Sequence, residues 1–313
     1  LASRHGAADA APAIDRPAVS ESAAAQSIFR RSGYRFGGEN APNSKSLERQ
    51  AGDAERAVVL QRRFTHENVD LNRNFQDFSK PLPVNTAYRE VQPLLLPEQW
   101  PPGPENQAAV AEYIATKGEA AWQAAISQGQ HEFPQGMFFG GTEPTWSNRT
   151  LRKVLRQHGA AASKIAWIDL HTGLGPSGHG ERIYAGKDDA TSVARARAWW
   201  DGGGATPVTS IYDGSSTSAF LTGLMWTSIY DECPHAEYTG IAMEYGTVPV
   251  LDVMNAIRAE QWLHLHPETP ADKAAQIKAQ MLAAFYTDTD AWKGQIISQA
   301  RQSMFQAVDG LTA

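Results

Sequence analysis

The chain has 313 residues and a formal net charge of -6. That length can bury a proper core as one large or two ordinary domains, and the acidic balance leaves no basic stripe of the kind that holds nucleic acid. Cys233 is the single cysteine, which excludes a disulfide framework and a cysteine-rich zinc module and agrees with a reducing compartment; the expected location is cytoplasmic. No apolar run approaches the roughly 20 residues of a membrane span, and no basic-then-apolar leader opens the sequence, so neither membrane nor nucleic acid is an expected partner.

Composition changes near residue 56. Residues 1–56 are Ala, Ser, Arg, Gly and Pro with few large apolar side chains, too few to offset the entropy of an ordered backbone; they are expected to be a disordered segment with at most a short helix around Ser22 to Arg31. Residues 57–313 alternate element types and are expected to form one domain. Val69 and Leu71 alternate with polar residues, the pattern of a half-buried strand that ends on Asn72-Arg73. Glu105 to Ser127 reads as one helix after the prolines at 101–104. Ser147 is placed to cap a helix carrying Leu151, Val154, Leu155 and His158, closed by Gly159. Ile165 to Leu170, Pro207 to Tyr212 and Thr239 to Tyr245 read as strands, and helices follow at Val250 to Leu265, Ala271 to Tyr286 and Thr289 to Val308. Strands interleaved with amphipathic helices predict an α/β layered fold.

Three stretches carry chemistry. In VDLNRNF (69–75) the guanidinium of Arg73 offers a planar fork that fits a carboxylate or an oxyanion, and Asn72 adds a donor and an acceptor; a surface turn is the alternative. In IDLHTGLGPSGHGE (168–181) a buried strand delivers His171 to its carboxyl end, where α/β sheets gather ligand sites, as a zinc ligand, an acid/base group or a hydrogen-bonded structural residue. Gly173, Gly175 and Gly178 match GxGxxG, but Glu181-Arg182-Ile183-Tyr184 follows with no helical period, which argues against a dinucleotide site. In IAMEYGT (241–247) Glu244 sits inside an apolar strand, either as a carboxylate raised by burial toward general-base duty or on the solvent face of an edge strand. His264 and His266, and His235 with Glu237, are weaker signals; His179 and Glu181 flank the cleft loop, either touching substrate or standing as solvated loop residues.

Taken in order, ENVDLNRNF, DLHTGLGPSGHGE and MEYGT resemble the zinc carboxypeptidase superfamily. They are most similar to its deacylase-like bacterial branch near succinylglutamate desuccinylase and aspartoacylase, the domain of unknown function 2817. GGTEPTWSNRTLR (140–152), EYGTVPVLDVMNAIRAEQWLH (244–264) and FYTDTDAWKG (285–294) share the likeness, which covers roughly Gln61 to Val308. The resemblance implies a three-layer α/β/α sandwich with a mixed central sheet. It implies His171 as the last of three zinc ligands, Glu244 as general base and Asn72 with Arg73 in the substrate site; His179 and Tyr245 complete the substrate-facing set. The implied reaction is zinc-dependent hydrolysis of an amide adjacent to a carboxylate, on a small-molecule or peptide substrate. Arg73, His171 and Glu244 should then meet in one cleft.

One departure stands out. The family takes its first two zinc ligands from a His-x-x-Glu motif, and this sequence contains none; the nearest stretch, His5-Gly6-Ala7-Ala8, has alanine at the glutamate position. One histidine does not hold a catalytic zinc. Three explanations stand open: an N-terminal part that is not family sequence, a zinc-free descendant that binds a ligand through Arg73, or a site rebuilt from His5 and another carboxylate. The expected function is accordingly a zinc hydrolase whose activity is in question, set against a metal-free ligand-binding relative that keeps the clamp.

Overall fold

The computed structural model describes residues 62–313, so the reading of residues 1–56 lies outside the described residues. Four strands form one sheet in the order β1-β4-β2-β3: β1 Lys164–Ser177, β2 Gly180–Tyr184, β3 Val208–Ser210 and β4 Glu237–Gly246. β1 runs parallel to β4, β2 antiparallel to β4, and β3 parallel to β2. This is the expected α/β class with a mixed central sheet.

The described residues also form nine helices: α1 Thr86–Leu95, α2 Pro104–Lys117, α3 Glu119–Ser127, α4 Trp146–Gly159, α5 Ala190–Trp200, α6 Ile229–Glu232, α7 Val250–Leu265, α8 Ala271–Phe285 and α9 Asp290–Thr312. None of them is long and apolar enough to cross a membrane. Local chemistry explains most boundaries. Thr289 and Asp189 accept from Trp292 N–H and Ser192 N–H to cap α9 and α5, and Pro104 opens α2. The single helix expected over Glu105 to Ser127 breaks at Gly118, whose φ of 92° ends α2 before α3 begins. The cap of α4 is Thr145 and not Ser147, because the Thr145 side chain accepts from Asn148 N–H. The expected strand end at Val69 to Leu71 is instead a 3-10 turn, Leu71–Arg73, capped by Asp70, whose carboxylate accepts from Asn72 N–H at 2.9 Å. Elements β2 and α5 had no clear period, since β2 follows a run of glycines and α5 is alanine- and arginine-rich, while in α1 Pro93 interrupts the period of Tyr88, Val91 and Leu95.

The period of two along a strand sorts the layers. On one face of β4, Ile241, Met243 and Tyr245 pack with Tyr184, Trp200 and Ala307 under α5 and α9. On the other face, Ala242 joins Ile183, Leu224 and Trp226. A separate helical core gathers Tyr88, Leu95, Trp122, Ile126, Val253 and Met281 from α1, α3, α7 and α8. Two threonines join this body to the sheet: Thr172 and Thr247 donate to the Phe285 and Ala284 carbonyls at 2.7 and 2.6 Å, satisfying the last turn of α8.

β4 ends on Gly246, pressed against backbone. A Cβ there would collide with the carbonyl oxygens of Gly175 and Pro176, atoms that cannot swing aside, while Gly246 O accepts from Trp292 Nε1 at 2.9 Å. Gly246→Ala is therefore expected to cost about 1–3 kcal/mol, the range of core overpacking, read as a lower urea midpoint at unchanged slope.

Candidate active site

The register of β4 against its neighbours sets the site. His171 of β1 and Glu181 of β2 both pair with Glu244 of β4, so three ionisable side chains stand in one row on one face of the sheet. Asp169, two residues before His171, lies on the same face in the next row, opposite Ala242. The row sits at the carboxyl ends of parallel β1 and β4, where the glycine-rich segment after Thr172 leaves the regular pairing. A cavity of about 100 Å³ opens over it. Its lining includes Arg63, Asn72 and Trp226 together with Arg73, His171 and Glu244, three side chains up to 171 positions apart in sequence that are brought to one place.

Burial governs the electrostatics. Glu244 is 8 % exposed, and burial pushes its carboxyl above the ordinary range against the opposing pull of His171 and of Leu174 N–H, which donates to Oε1 at 3.2 Å. Burial alone would lower His171; the Asp169 carboxylate outweighs it and raises the imidazole. His171 Nε2 and Asp169 Oδ2 approach to 2.9 Å, but without hydrogen-bond alignment, so both atoms are buried and lack a hydrogen-bond partner among the described residues. An imidazole and a carboxylate left in this condition beside a cavity are groups with capacity to spare.

The two arginines divide their work differently from the expectation. Arg73 is buried, and its Nε donates to the Ser127 and Gln128 carbonyls at 3.0 and 3.1 Å, Nη1 to Asn72 O at 2.9 Å, and Nη2 to Ser127 O. It thus caps the C-terminus of α3, a place that favours a cation. Burial pushes its pKa down to about 10, opposed by Asp70. Arg63 was not singled out by any sequence pattern, yet it lines the same cavity with its Nε on Asp70 Oδ2 at 3.0 Å and its two terminal nitrogens without a partner among the described residues. Asp70 stands between the two guanidiniums; burial would raise it, but Arg63, Arg73 and Asn72 N–H hold it below the ordinary carboxylate range. Asn72 accepts from Met225 N–H at 3.1 Å, while its amide nitrogen has no partner among the described residues.

Two of the expected substrate-facing residues lie elsewhere. Tyr245 follows Glu244 in the strand and so points to the opposite face, where it is 1 % exposed in the α5/α9 core; burial raises its phenol to about 12. His179 is exposed in the β1–β2 connection and does not line the cavity. Glu181, read as a solvated loop residue, is instead buried on β2: Oε1 accepts from Thr209 Oγ1 at 2.6 Å and Thr217 N at 3.2 Å, and Oε2 from Thr217 Oγ1. It thereby anchors the segment that carries Ser218, Leu221 and Leu224 to the cavity wall. Of the two site residues that the motifs did not mark, Arg63 and Asp169, only Asp169 carried a legible signal, its spacing of two from His171.

A catalytic zinc needs three protein ligands. Among the described residues no group of three or more His, Cys, Asp and Glu side chains is placed to hold a metal ion, so the described residues do not by themselves fit the zinc that the resemblance implies.

Fold and site together define a layered α/β protein with an acid, an imidazole and a guanidinium over the ends of its parallel strands. The family model "Protein of unknown function (DUF2817)" matches residues 58–299, and the chain belongs to that family. None of the curated proteins and none of the solved structures compared with the chain matches it.

Two outcomes are expected. Arg73→Gln orphans the α3 carbonyls and weakens the neutralisation of Asp70, and should cost about 3–5 kcal/mol, whereas Arg63→Gln should cost about 1–2 kcal/mol; urea unfolding ranks the pair. The folded chain also holds the Glu244 proton more tightly than the unfolded chain does. Its contribution therefore declines as pH rises above the ordinary value of 4.5 and is fully unfavourable above the raised folded value. Glu244→Gln should be more stable than the parent at pH 7, with the difference closing below about pH 4.

Proposed function

We propose that this chain is a hydrolase of the carboxypeptidase and deacylase type, cleaving an amide bond adjacent to a carboxylate in a small-molecule or peptide substrate. The observation that carries this reading is the meeting of a raised, buried carboxylate, a half-buried imidazole and a guanidinium whose terminal donors have no partner among the described residues around one small cavity. The motif likeness to the zinc carboxypeptidases supports it independently. A cytoplasmic site of action belongs to the same proposal.

Glu244 is the general base: its raised pKa lies closer to working pH, and it faces the cavity where a water can stand. Arg63 and the Asn72 amide present N–H groups to the substrate carboxylate or to the oxygen that gains charge as the carbonyl is attacked. Arg73 acts at one remove, holding the turn that aims Asn72. His171, backed by Asp169, is a hydrogen-bonding partner for the reacting group and the one zinc ligand this reading assigns. The described residues offer no set of three ligands around His171, so the roles above stand without a metal.

The test is hydrolysis of a panel of N-acyl amino acids by the full chain. Glu244→Gln should lower kcat by about 10²–10⁴-fold with cooperative unfolding retained, and Arg63→Gln should act mainly on KM. Metal analysis of the purified protein beside His171→Ala decides the zinc question: one equivalent of metal that disappears on substitution supports a zinc enzyme. The missing ligand cluster favours a second reading, a metal-free protein that binds the same carboxylates without turnover. Calorimetric binding of an N-acyl amino acid, with no metal and no product, would establish that reading instead.

A further inference from the structure

Helix α7 has two lined faces. Val253, Met254 and Ile257 border the cleft, while Asp252, Asn255, Ala256 and Arg258 border a separate and larger groove of about 660 Å³ between α7, α2 and α8. That volume lies within the range of small-molecule sites. Val110 and Ile114 of α2, Val248, and Ala284 of α8 form apolar walls, and Trp100 closes one side.

Arg258 stands in this wall at 3 % exposure. Its Nη2 donates to Leu94 O at 2.8 Å and Asn106 Oδ1 at 3.1 Å, its Nε to Leu95 O at 3.0 Å, and its Nη1 to Asn255 Oδ1 at 2.9 Å. Every one of these acceptors is neutral, and Arg258 forms no ion pair among the described residues, whereas buried Arg62 faces Glu260 and Arg73 faces Asp70. The Leu94 and Leu95 carbonyls close α1, whose dipole offers about half a charge; the rest of the cation is uncompensated among the described residues. A guanidinium has five N–H donors, so one on Nη1 is left over. The Trp100 ring lies 5.6 Å from the guanidinium carbon as a flat neighbour. A buried cation on the wall of a mostly apolar groove calls for an anion attached to an apolar body. Asp252 on the rim is exposed and repels a doubly charged phosphate more than a monoanion.

We propose that the groove between α2, α7 and α8 is a second ligand site, for a small organic monocarboxylate with an apolar body. The carboxylate meets Arg258 and the Asn255 amide, and the hydrocarbon lies along Val110, Ile114 and Val248. The site rests on residues outside the cleft and does not depend on the hydrolase reading.

The experiment is isothermal titration of the full chain with octanoate, beside octylamine and inorganic phosphate. Octanoate should bind saturably with one site per chain, octylamine should not bind, and phosphate should not compete. Arg258→Gln should weaken octanoate at least about tenfold, the loss expected for a charge-assisted hydrogen bond. Because Arg258 also holds the end of α1, Val110→Trp, which fills the groove from a half-buried helix position, provides a second variant: it should abolish binding with the unfolding midpoint unchanged. Arg63→Gln should leave octanoate affinity as in the parent. The proposal is overturned by any of four results: octylamine binding as tightly as octanoate, phosphate displacing it, affinity untouched in both groove variants, or affinity lost in Arg63→Gln, which would place the ligand in the cleft.

Discussion

Slipping β4 by one residue against β1 would send Glu244 to the far face and bring Tyr245 into the cleft. Because side chains alternate strictly along a strand, register decides which chemistry meets the cavity. What holds the register is the burial of both faces: Ile241, Met243 and Tyr245 fill the core under α5 and α9, and Ala242 fills the space against Ile183 and Trp226. A slip would push Glu244 into hydrocarbon and leave Tyr245 beside Asp169 and His171. The apolar alternation of an ordinary core thus places the carboxylate, and the positions of His171 and Glu181 follow from pairing with it.

Buried charge in the cleft is organised around that row. Asp70 links Arg63 to Arg73, and Arg73 in turn neutralises the carbonyl end of α3, so the turn carrying Asn72 is fixed from two sides. Glu181 spends both oxygens on threonine groups and serves as an anchor for the far wall. Glu244, by contrast, accepts one backbone N–H, and the facing atoms of His171 and Asp169 lack a hydrogen-bond partner among the described residues. Satisfied groups build the walls of the cleft, and the under-satisfied Glu244 and His171 line it with Asp169 behind them. This division separates residues that support the site from those able to act in it.

Much of the fold was legible before any coordinates. α7 begins and ends where the apolar period and the flanking Pro249 and Pro267 place it, and β4 exceeds its expected span by two residues at one end and one at the other. Helix α1 was hidden because Pro93 falls inside it, where a proline reads as a break, and β2 because glycines carry no period. The strand expected before Asn72 gave way to a capped turn because Asp70 bonds its own backbone two residues on, a competition that alternation does not register.

His171 and Glu244 were marked by local pattern alone, since a polar residue inside an apolar run is visible in a single sequence. Membership of the family was likewise carried by ordered motifs. Tertiary structure alone decided which of two neighbouring arginine roles falls to Arg73 and which to Arg63, that Tyr245 is core, and that Glu181 is an anchor. Those outcomes depend on what stands opposite each side chain across the sheet or at the end of a distant helix. A linear sequence states the donors and acceptors but not the partners that use them up.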